Sequence, residues 1–219
     1  MDCVEIIEQT GIVPVIKIDK PEKAPFVADA LFRAGIPIAE ITFRSDAAEK
    51  SIGLLKREFP GMLIAAGTVL TVENLEKAFN ADADFIVSPA FNPVIVDRCI
   101  EMGKIIFPGV NNPTLVDMGV SKGLKVLKFF PVEVSGGIEM LKMLQPIFSG
   151  TRFFTSGGIN NSNIMSYLAC PNVIACAGSW MVRSDLVEAG DYESIYRLSK
   201  ETADVIKNGR QELSGEKYA

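Results

Sequence analysis

The alternation of helix and strand that decides the fold is clearest in the stretch Gly35-Ile36-Pro37-Ile38-Ala39-Glu40-Ile41-Thr42-Phe43-Arg44. A helix-like segment, Pro21 to Ala34, comes before it, and Gly35 is a plausible stop for that helix. A second helix-like segment, Asp46 to Glu58, comes after it, with Asp46 as a plausible N-cap. The apolar, β-branched run inside the stretch is strand-length. The stretch therefore predicts a helix–strand–helix unit.

The same alternation continues along the whole chain, with further helix-like segments at Val72 to Asn80, after the plausible N-cap Thr71, and at Asn92 to Met102, before Gly103. The eight predicted strands are Gly11 to Ile18, Pro37 to Phe43, Met62 to Thr68, Asp84 to Ser88, Ile105 to Gly109, Lys125 to Phe129, Arg152 to Thr155 and Val173 to Ala177. Strands that alternate with helices predict a parallel sheet of the α/β class. Eight such units favour a closed (β/α)₈ barrel, and an open doubly wound sheet is the alternative.

Length and composition predict one domain, 1–219, with a polar tail from about residue 208 that frays. The chain has 219 residues, of which 48% are hydrophobic and 22% are charged, as in an ordinary globular protein. The net charge of -5 argues against a nucleic-acid partner. No apolar run approaches the roughly 20 residues of a membrane span, and the N-terminus lacks the pattern of a signal peptide. We therefore expect a cytoplasmic protein with no membrane partner.

The chain contains no histidine and four cysteines, none of them in a Cys-x-x-Cys pair. These features make a zinc site improbable and predict buried thiols in a reducing compartment. We expect no metal and no other cofactor. Proton transfer at neutral pH would fall to a carboxylate, lysine, tyrosine, cysteine or water.

The second predicted strand carries polar side chains on one face. Because side chains alternate across a strand, Glu40, Thr42 and Arg44 share a face that would point into the barrel or its mouth. In a (β/α)₈ barrel the chemistry gathers at the C-terminal ends of the strands. A structural ion pair between Glu40 and Arg44 is the alternative interpretation.

A lysine with apolar neighbours lies in the run Val126-Leu127-Lys128-Phe129-Phe130-Pro131. A charged ammonium is costly to desolvate there, and a neutral lysine amine can attack a ketone to form a Schiff base. Cleavage of a β-hydroxy ketone leaves negative charge beside the carbonyl, and a protonated imine accepts that charge without a metal. The alternative is a lysine that extends to the rim without a catalytic role. Lys17 shares an inward strand face with Val13 and Val15 and could also reach the site.

Small residues follow three other predicted strands. Thr68 ends strand 3 after Gly67, and glycine pairs or turns follow strands 7 and 8 at Gly157-Gly158 and Gly178-Ser179. Barrels of this class commonly bind phosphate after strands 7 and 8, with backbone amides and a helix N-terminus. Simple turns are the alternative, because turns use glycine freely.

Together these stretches resemble the 2-keto-3-deoxy-6-phosphogluconate (KDPG) / 4-hydroxy-2-oxoglutarate aldolase family, whose members are class I aldolases. The stretch that begins at Gly35 is similar to the family's glutamate signature, and Gly123 to Gly136 is similar to its Schiff-base lysine signature. The resemblance extends from about Gly11 to Tyr196. Four departures from the family pattern bear on substrate fit more than on reaction type: Ala90, Val132, Ser156 and Ala177.

The resemblance implies that Lys128 is the nucleophile, which forms a carbinolamine and then an imine with a keto acid, and that Glu40 is the general acid/base. It also implies that nine other residues bind substrate. These are Arg44 and Thr68 at the carboxylate, Pro108 and Phe130 around the pyruvoyl group, Thr155 at the hydroxyls of the aldehyde half, and Gly157, Gly158, Gly178 and Ser179 at the phosphate. A homotrimer is implied as well.

The expected activity is cleavage of KDPG to pyruvate and glyceraldehyde 3-phosphate. Within the family, the alternative substrates are 2-keto-3-deoxy-6-phosphogalactonate and 4-hydroxy-2-oxoglutarate. A phosphosugar isomerase or epimerase on the same barrel would need Glu40 and the glycine turns but not a buried Lys128. A non-catalytic barrel that binds a phosphate ligand would gain nothing from Glu40 and Lys128 together. Fold alone does not separate these alternatives.

Overall fold

The computed structural model of the protein describes residues 2–215, except for the side chain of Ser214. Within that range, nine β-strands alternate with ten α-helices and two short 3₁₀-helices. The strands are β1 (Ile12–Ile16), β2 (Ile38–Thr42), β3 (Leu63–Gly67), β4 (Phe85–Val87), β5 (Ile105–Phe107), β6 (Gly109–Val110), β7 (Val126–Phe129), β8 (Arg152–Ser156) and β9 (Val173–Gly178). The α-helices are α1 (Cys3–Thr10), α2 (Ala24–Arg33), α3 (Ala48–Glu58), α4 (Val72–Asn80), α5 (Pro93–Glu101), α6 (Pro113–Ser121), α7 (Gly137–Ile147), α8 (Ile164–Leu168), α9 (Ser184–Ala189) and α10 (Tyr192–Gly215). The 3₁₀-helices are Pro21–Lys23 and Glu133–Ser135.

The strands form one parallel, nearly closed barrel in the order β5-β4-β3-β2-β1-β9-β8-β7-β6. The two strands at the ends of that order, β5 and β6, are consecutive in the chain and are joined through Pro108. The predicted parallel α/β architecture is therefore confirmed, and the open doubly wound sheet is not what forms. All of the predicted strands coincide with observed ones, within a few residues at their ends.

The predicted fifth strand, Ile105 to Gly109, is two strands in the structure. β5 pairs with β4, and β6 pairs with β7. Pro108 lies between them and has no N–H to donate to a ladder, which explains the interruption. Its carbonyl still accepts a hydrogen bond from the Lys128 backbone N–H at 3.0 Å. This bond helps to link the two ends of the sheet.

The helix ends follow the sequence signals in part. Thr71 caps α4, because its side chain accepts from the backbone N–H of Asn74 at 3.1 Å. Gly35 and Gly103 have positive φ angles directly after the last turns of α2 and α5, so both predicted stops are confirmed. The predicted N-cap Asp46 is wrong, because α3 starts at Ala48 and has no side-chain cap.

The barrel interior is filled by an apolar cluster. Three of its rings, those of Phe85, Phe107 and Phe154, stand in a chain with centroids 5.5 and 5.8 Å apart. The full burial of one such side chain contributes about 1.5–3 kcal/mol. The cluster consists of Ile7, Val13, Ile38, Ala65, Phe85, Val87, Phe107, Val126, Phe154, Ile174, Ala175 and Ala177.

The N-terminal end of the barrel is covered by α1, a helix that we did not predict. Ile7 belongs to the interior cluster, and Cys3, Val4 and Ile6 pack against it. A capping box between Asp2 and Glu5 starts this helix. Because α1 closes that end, the open mouth of the barrel lies at the opposite, C-terminal ends of the strands.

The chain ends in a long helix, α10, that continues to Gly215. The part of the predicted polar tail from 208 to 215 is therefore helical, and 216–219 lie outside the described residues. No described helix is both long and apolar enough to span a bilayer. Cys99, Cys170 and Cys176 are buried as predicted, whereas Cys3 is half-buried, and all four thiols are free.

Candidate active site

Lys128 and Glu40 meet inside the barrel mouth, although they come from strands on different sides of the barrel. Lys128 Nζ lies 3.5 Å from Glu40 Oε1. The Lys128 residue is 5% exposed and Glu40 is 1% exposed. Lys128 therefore does not extend to the rim. The rings of Phe130 and Phe154 lie near its ammonium, with centroids 5.6 and 5.8 Å from Nζ.

The second carboxylate oxygen of Glu40 has no hydrogen-bond partner among residues 2–215, although it is buried. A buried acceptor without a partner costs about 1–3 kcal/mol, and a charged one costs more. The space for this carboxylate depends on Gly67, where a Cβ atom would lie 2.2 Å from Glu40 Oε1. The structure thus holds one carboxylate oxygen ready for an external donor.

Arg44 lies at the edge of the same mouth and is exposed. Its Nε donates to Thr42 Oγ1 at 3.2 Å, and the Thr42 hydroxyl in turn donates to the Ile16 carbonyl at 2.9 Å. Among the described residues no carboxylate pairs with Arg44, so the alternative ion pair with Glu40 does not form. The guanidinium is left to bind a planar anion such as a carboxylate.

One cavity of about 490 Å³ opens at this mouth and contains most of the predicted site. Nine of the eleven predicted residues line it: Glu40, Arg44, Thr68, Lys128, Phe130, Gly157, Gly158, Gly178 and Ser179. Thr68 has a φ of 57°, so the backbone turns sharply where strand β3 enters the cavity wall. A larger groove of about 580 Å³ lies beside α1, α2 and α10 and contains none of the predicted residues.

Two predicted residues, Thr155 and Pro108, do not line the cavity. The Thr155 side chain is fully buried and donates to the Ala175 carbonyl at 3.3 Å, so the expected contact with substrate hydroxyls is corrected. Strand alternation explains this, because Phe154 and Ser156 face inward on either side of it. Pro108 is buried and acts through its carbonyl, which fixes the Lys128 backbone.

The glycine loops approach the cavity with backbone geometry that side chains rarely allow. Gly157 and Gly158 have φ angles of 100° and 91°. At Gly178 a Cβ atom would lie 1.9 Å from the Trp180 ring. The expected helix N-termini are absent there, because α8 starts at Ile164 and α9 at Ser184. Backbone amides of the loops themselves would have to bind an anion.

Several cavity residues were not predicted: Val15, Pro89, Ser156, Ile159, Ala177 and Trp180. Strand alternation could have identified Val15 and Ser156. Trp180 follows the glycine turn and carried no separate signal. Its indole Nε1 donates to Asn161 Oδ1 at 3.0 Å and to Thr202 Oγ1 at 3.1 Å. These two hydrogen bonds fix the position of the Trp180 ring in the cavity wall.

Other candidate nucleophiles and ligands lie elsewhere. Lys17 pairs with Asp19 at 2.7 Å and does not line the cavity. Burial raises the pKa of the Cys99 and Cys176 thiols to about 12, which keeps them protonated at neutral pH. Within the described part of the chain, no three Cys, Asp or Glu side chains are grouped as metal ligands would be.

A model of the family described as "KDPG and KHG aldolase" matches residues 3–198. The chain belongs to this aldolase family. The family resemblance of the sequence is therefore confirmed. A 2-dehydro-3-deoxy-phosphogluconate aldolase of Haemophilus influenzae is 43% identical over 93% of this chain and 96% of its own. A KHG/KDPG aldolase of Escherichia coli is 36% identical over the same shares.

Solved structures agree with this aldolase assignment. A KDPG aldolase from Legionella pneumophila, with pyruvate captured as a covalent carbinolamine, matches with a TM-score of 0.88 and 33% identity. The match covers 92% of this chain and 98% of that one. The KDPG aldolase of Zymomonas mobilis with 3-phosphoglycerate matches with a TM-score of 0.84, at 32% identity over 92% of this chain and 95% of that one.

Proposed function

We propose that this protein is a class I aldolase that cleaves KDPG to pyruvate and glyceraldehyde 3-phosphate. The observation that carries the proposal is the buried pair of Lys128 and Glu40, with 3.5 Å between Nζ and Oε1. Nucleophilic catalysis on a ketone needs an amine and a group that moves protons beside it. Relatives named as KDPG aldolases, and one solved relative with a pyruvate carbinolamine, support the same chemistry.

In the first stage, Lys128 forms the imine. Glu40 accepts a proton from the Lys128 ammonium, and Nζ attacks the C2 ketone of the substrate. The carbonyl oxygen gains a proton to give a carbinolamine, and water then leaves with the help of the same carboxyl group. The 3.5 Å separation is slightly longer than a hydrogen bond, as is common before a substrate draws such groups together.

In the second stage, the C3–C4 bond breaks. Its electron pair moves to C3 and into the protonated imine, which becomes a neutral enamine. Glu40 takes the proton of the C4 hydroxyl, and the C4 oxygen becomes the carbonyl of glyceraldehyde 3-phosphate. A proton returned to C3 regenerates the protonated imine, and water hydrolyses it to pyruvate and free Lys128.

The two ends of the substrate would be bound by different means. Arg44, with Thr68 beside it in the cavity wall, would bind the C1 carboxylate. Phe130 would pack against the pyruvoyl group. The backbone of Gly157, Gly158, Gly178 and Ser179 would bind the phosphate. In place of Thr155, Ser156 is the cavity hydroxyl on β8 that could meet the aldehyde half.

A second candidate substrate is 4-hydroxy-2-oxoglutarate, because the E. coli relative is named KHG/KDPG aldolase. The phosphogalactonate epimer of KDPG would need the same residues. An isomerase would make no use of Lys128, and a simple binding protein would make no use of either Lys128 or Glu40. We also propose one domain that works as a cytoplasmic homotrimer, and a closed (β/α)₈ barrel in which Ile105–Val110 counts as one strand.

A coupled assay tests the proposed function. KDPG, its galactonate epimer and 4-hydroxy-2-oxoglutarate are each supplied to the purified protein, and lactate dehydrogenase with NADH reports the pyruvate formed. We expect KDPG to give the highest kcat/KM. Pyruvate release from none of the three would reject the aldolase proposal, and a higher kcat/KM for an unphosphorylated substrate would replace KDPG by that substrate.

A further inference from the structure

Glu133 places a carboxylate next to the loop that would bind phosphate. The Glu133 side chain packs so closely on this loop that a Cβ atom at Gly158 would lie 2.4 Å from Glu133 Cγ. A negative charge beside an anion site weakens anion binding, and hydrogen-bond donors that point at the charge reduce this effect. Glu133 has two such donors.

Glu133 Oε1 accepts two hydrogen bonds from the segment that follows the loop. The Asn163 side-chain amide donates to it at 3.2 Å, and the Tyr167 hydroxyl donates to it as well. Tyr167 is almost fully buried. Burial first, and then the bond to Glu133, raise the pKa of Tyr167, so the phenol remains a donor. Both bonds are made to the same carboxylate oxygen, Oε1.

Asn163 uses both atoms of its amide to hold the loop. Its Nδ2 also donates to the Gly158 carbonyl at 3.1 Å, and its Oδ1 accepts from the Asn160 backbone N–H at 2.8 Å. In a trans peptide the N–H points opposite to the C=O. Fixing the Gly158 carbonyl therefore fixes the direction of the Ile159 N–H, and Ile159 lines the cavity.

The backbone ties the same loop to the strand that carries the lysine. Val132 N–H donates to the Ser156 carbonyl at 2.8 Å, and Glu133 N–H donates to the Gly157 carbonyl at 3.2 Å. Val132 is the fourth residue after Lys128, so the reacting amine and the glycine loop belong to one braced unit. A shift of about 1 Å in such a unit can lower turnover about 10²-fold.

We propose that Asn163, held by Glu133 and Tyr167, is a positioning residue that presets the 157–160 loop for the substrate phosphate. The proposal rests on the proposed function, because it concerns the phosphate end of the same substrate. Asn163 itself does not line the cavity. It acts on specificity by aiming backbone donors at the phosphate. If the loop were not preset, part of the binding free energy of the phosphate would be lost in ordering the loop.

The test compares KDPG with its dephosphorylated analogue, 2-keto-3-deoxygluconate, in Asn163→Ala, Glu133→Gln and Tyr167→Phe. We expect Asn163→Ala to lower kcat/KM for KDPG by roughly tenfold, the scale of a lost hydrogen bond to a charged group, and to change the analogue by less than about twofold. Inhibition by inorganic phosphate should weaken by a similar factor. Tyr167→Phe, which keeps the ring, should show the same pattern more weakly.

Ser162→Ala is the matched control, because the Ser162 hydroxyl bonds to Asn160 in the same loop and not to Glu133. It should leave the ratio of the two substrates unchanged. Equal losses on both substrates in Asn163→Ala, or no loss, would overturn the positioning role. Reductive trapping with pyruvate is run on every variant. A wild-type protein that forms no adduct would reject the proposed function, whereas normal trapping with an unchanged substrate ratio in Asn163→Ala rejects the positioning role alone.

Discussion

The two halves of the cavity are built in opposite ways. The half around Lys128 and Glu40 uses charged side chains from buried strands. In a strand, the alternation of side chains fixes the face on which each residue lies. The half around Gly157–Gly158 and Gly178 uses backbone at loop positions, and its geometry depends on the absence of side chains. We therefore expect the reaction chemistry in the rigid part and the recognition of the phosphate in the loops.

The difference predicts that the halves fail differently. A change in the lysine half should remove catalysis on every substrate, because the imine is common to all of them. A change in the glycine half should act only on substrates that carry a phosphate. Binding energy from a remote phosphate can raise kcat when it helps to hold the reacting carbons in place.

The largest expected effect is that of Lys128→Ala, which should reduce cleavage of every substrate below detection. No other amine lines the described cavity, so nothing replaces the nucleophile. Lys128→Arg keeps a cation beside Glu40 and should be equally inactive. This variant distinguishes loss of the nucleophile from the destabilisation caused by leaving the Glu40 carboxylate buried and unpaired. Lys17→Ala is the control and should cleave at the wild-type rate, because Lys17 pairs with Asp19 outside the cavity. Pyruvate release by Lys128→Arg in the coupled assay would contradict the assignment.

Glu40→Gln should keep the fold and lower kcat by about 10²-fold or more, the usual scale for an acid/base group. The amide has nearly the shape of the carboxylate but cannot accept and return a proton. Circular dichroism checks the fold, and the coupled assay gives kcat. Glu73→Gln, at an exposed carboxylate paired with Lys77, is the control. Near-normal turnover in Glu40→Gln would make Glu40 a structural residue.

Gly158→Val should lower kcat/KM for KDPG by about tenfold or more, and so erase the preference for KDPG over its dephosphorylated analogue. The new Cβ would meet Glu133 Cγ at 2.4 Å and would also force a side chain into a positive φ. The loss should appear in kcat as well as in KM, while pyruvate still forms its adduct. Gly150→Val is the control, because Gly150 lies before the N-terminal end of β8, whereas Gly158 follows its C-terminal end, and Gly150 has open space around it. Loss of the adduct would show that the halves are not independent.

The smallest expected effect is that of a chelator. Dialysis against EDTA should leave the kcat for KDPG unchanged, because the protonated imine accepts the electron pair that a metal would otherwise stabilise. Activity that disappears on dialysis and returns with a divalent ion would replace the imine by a metal enolate.

Strand periodicity predicted the lysine half well. The alternation in Glu40, Thr42 and Arg44, and the apolar neighbours of Lys128, depend only on local spacing, which the sequence displays directly. The interruption at Pro108 was missed, because a proline near a strand end reads equally well as a terminus. The helix α1 was missed because it is only eight residues long, and its apolar face is recognisable only against the barrel end that it covers.

The glycine half was predicted less well. Thr155 and Ser156 are adjacent hydroxyl residues, and strand alternation places Ser156, not Thr155, on the inward face with Phe154. A one-residue error exchanges the faces of a strand, so the choice of Thr155 placed the predicted hydroxyl on the outer face. Trp180 and Asn163 act through contacts with distant segments, at Thr202 and Glu133. Such contacts become visible only in the folded chain.

Reductive trapping tests the central claim, imine formation at Lys128, most directly. The protein is incubated with pyruvate and borohydride, and the modified residue is located by intact mass and peptide mapping. We predict one reduced pyruvyl group per chain, on Lys128, and none in Lys128→Arg. An adduct on Lys17, or no adduct on a folded and active protein, would contradict the account.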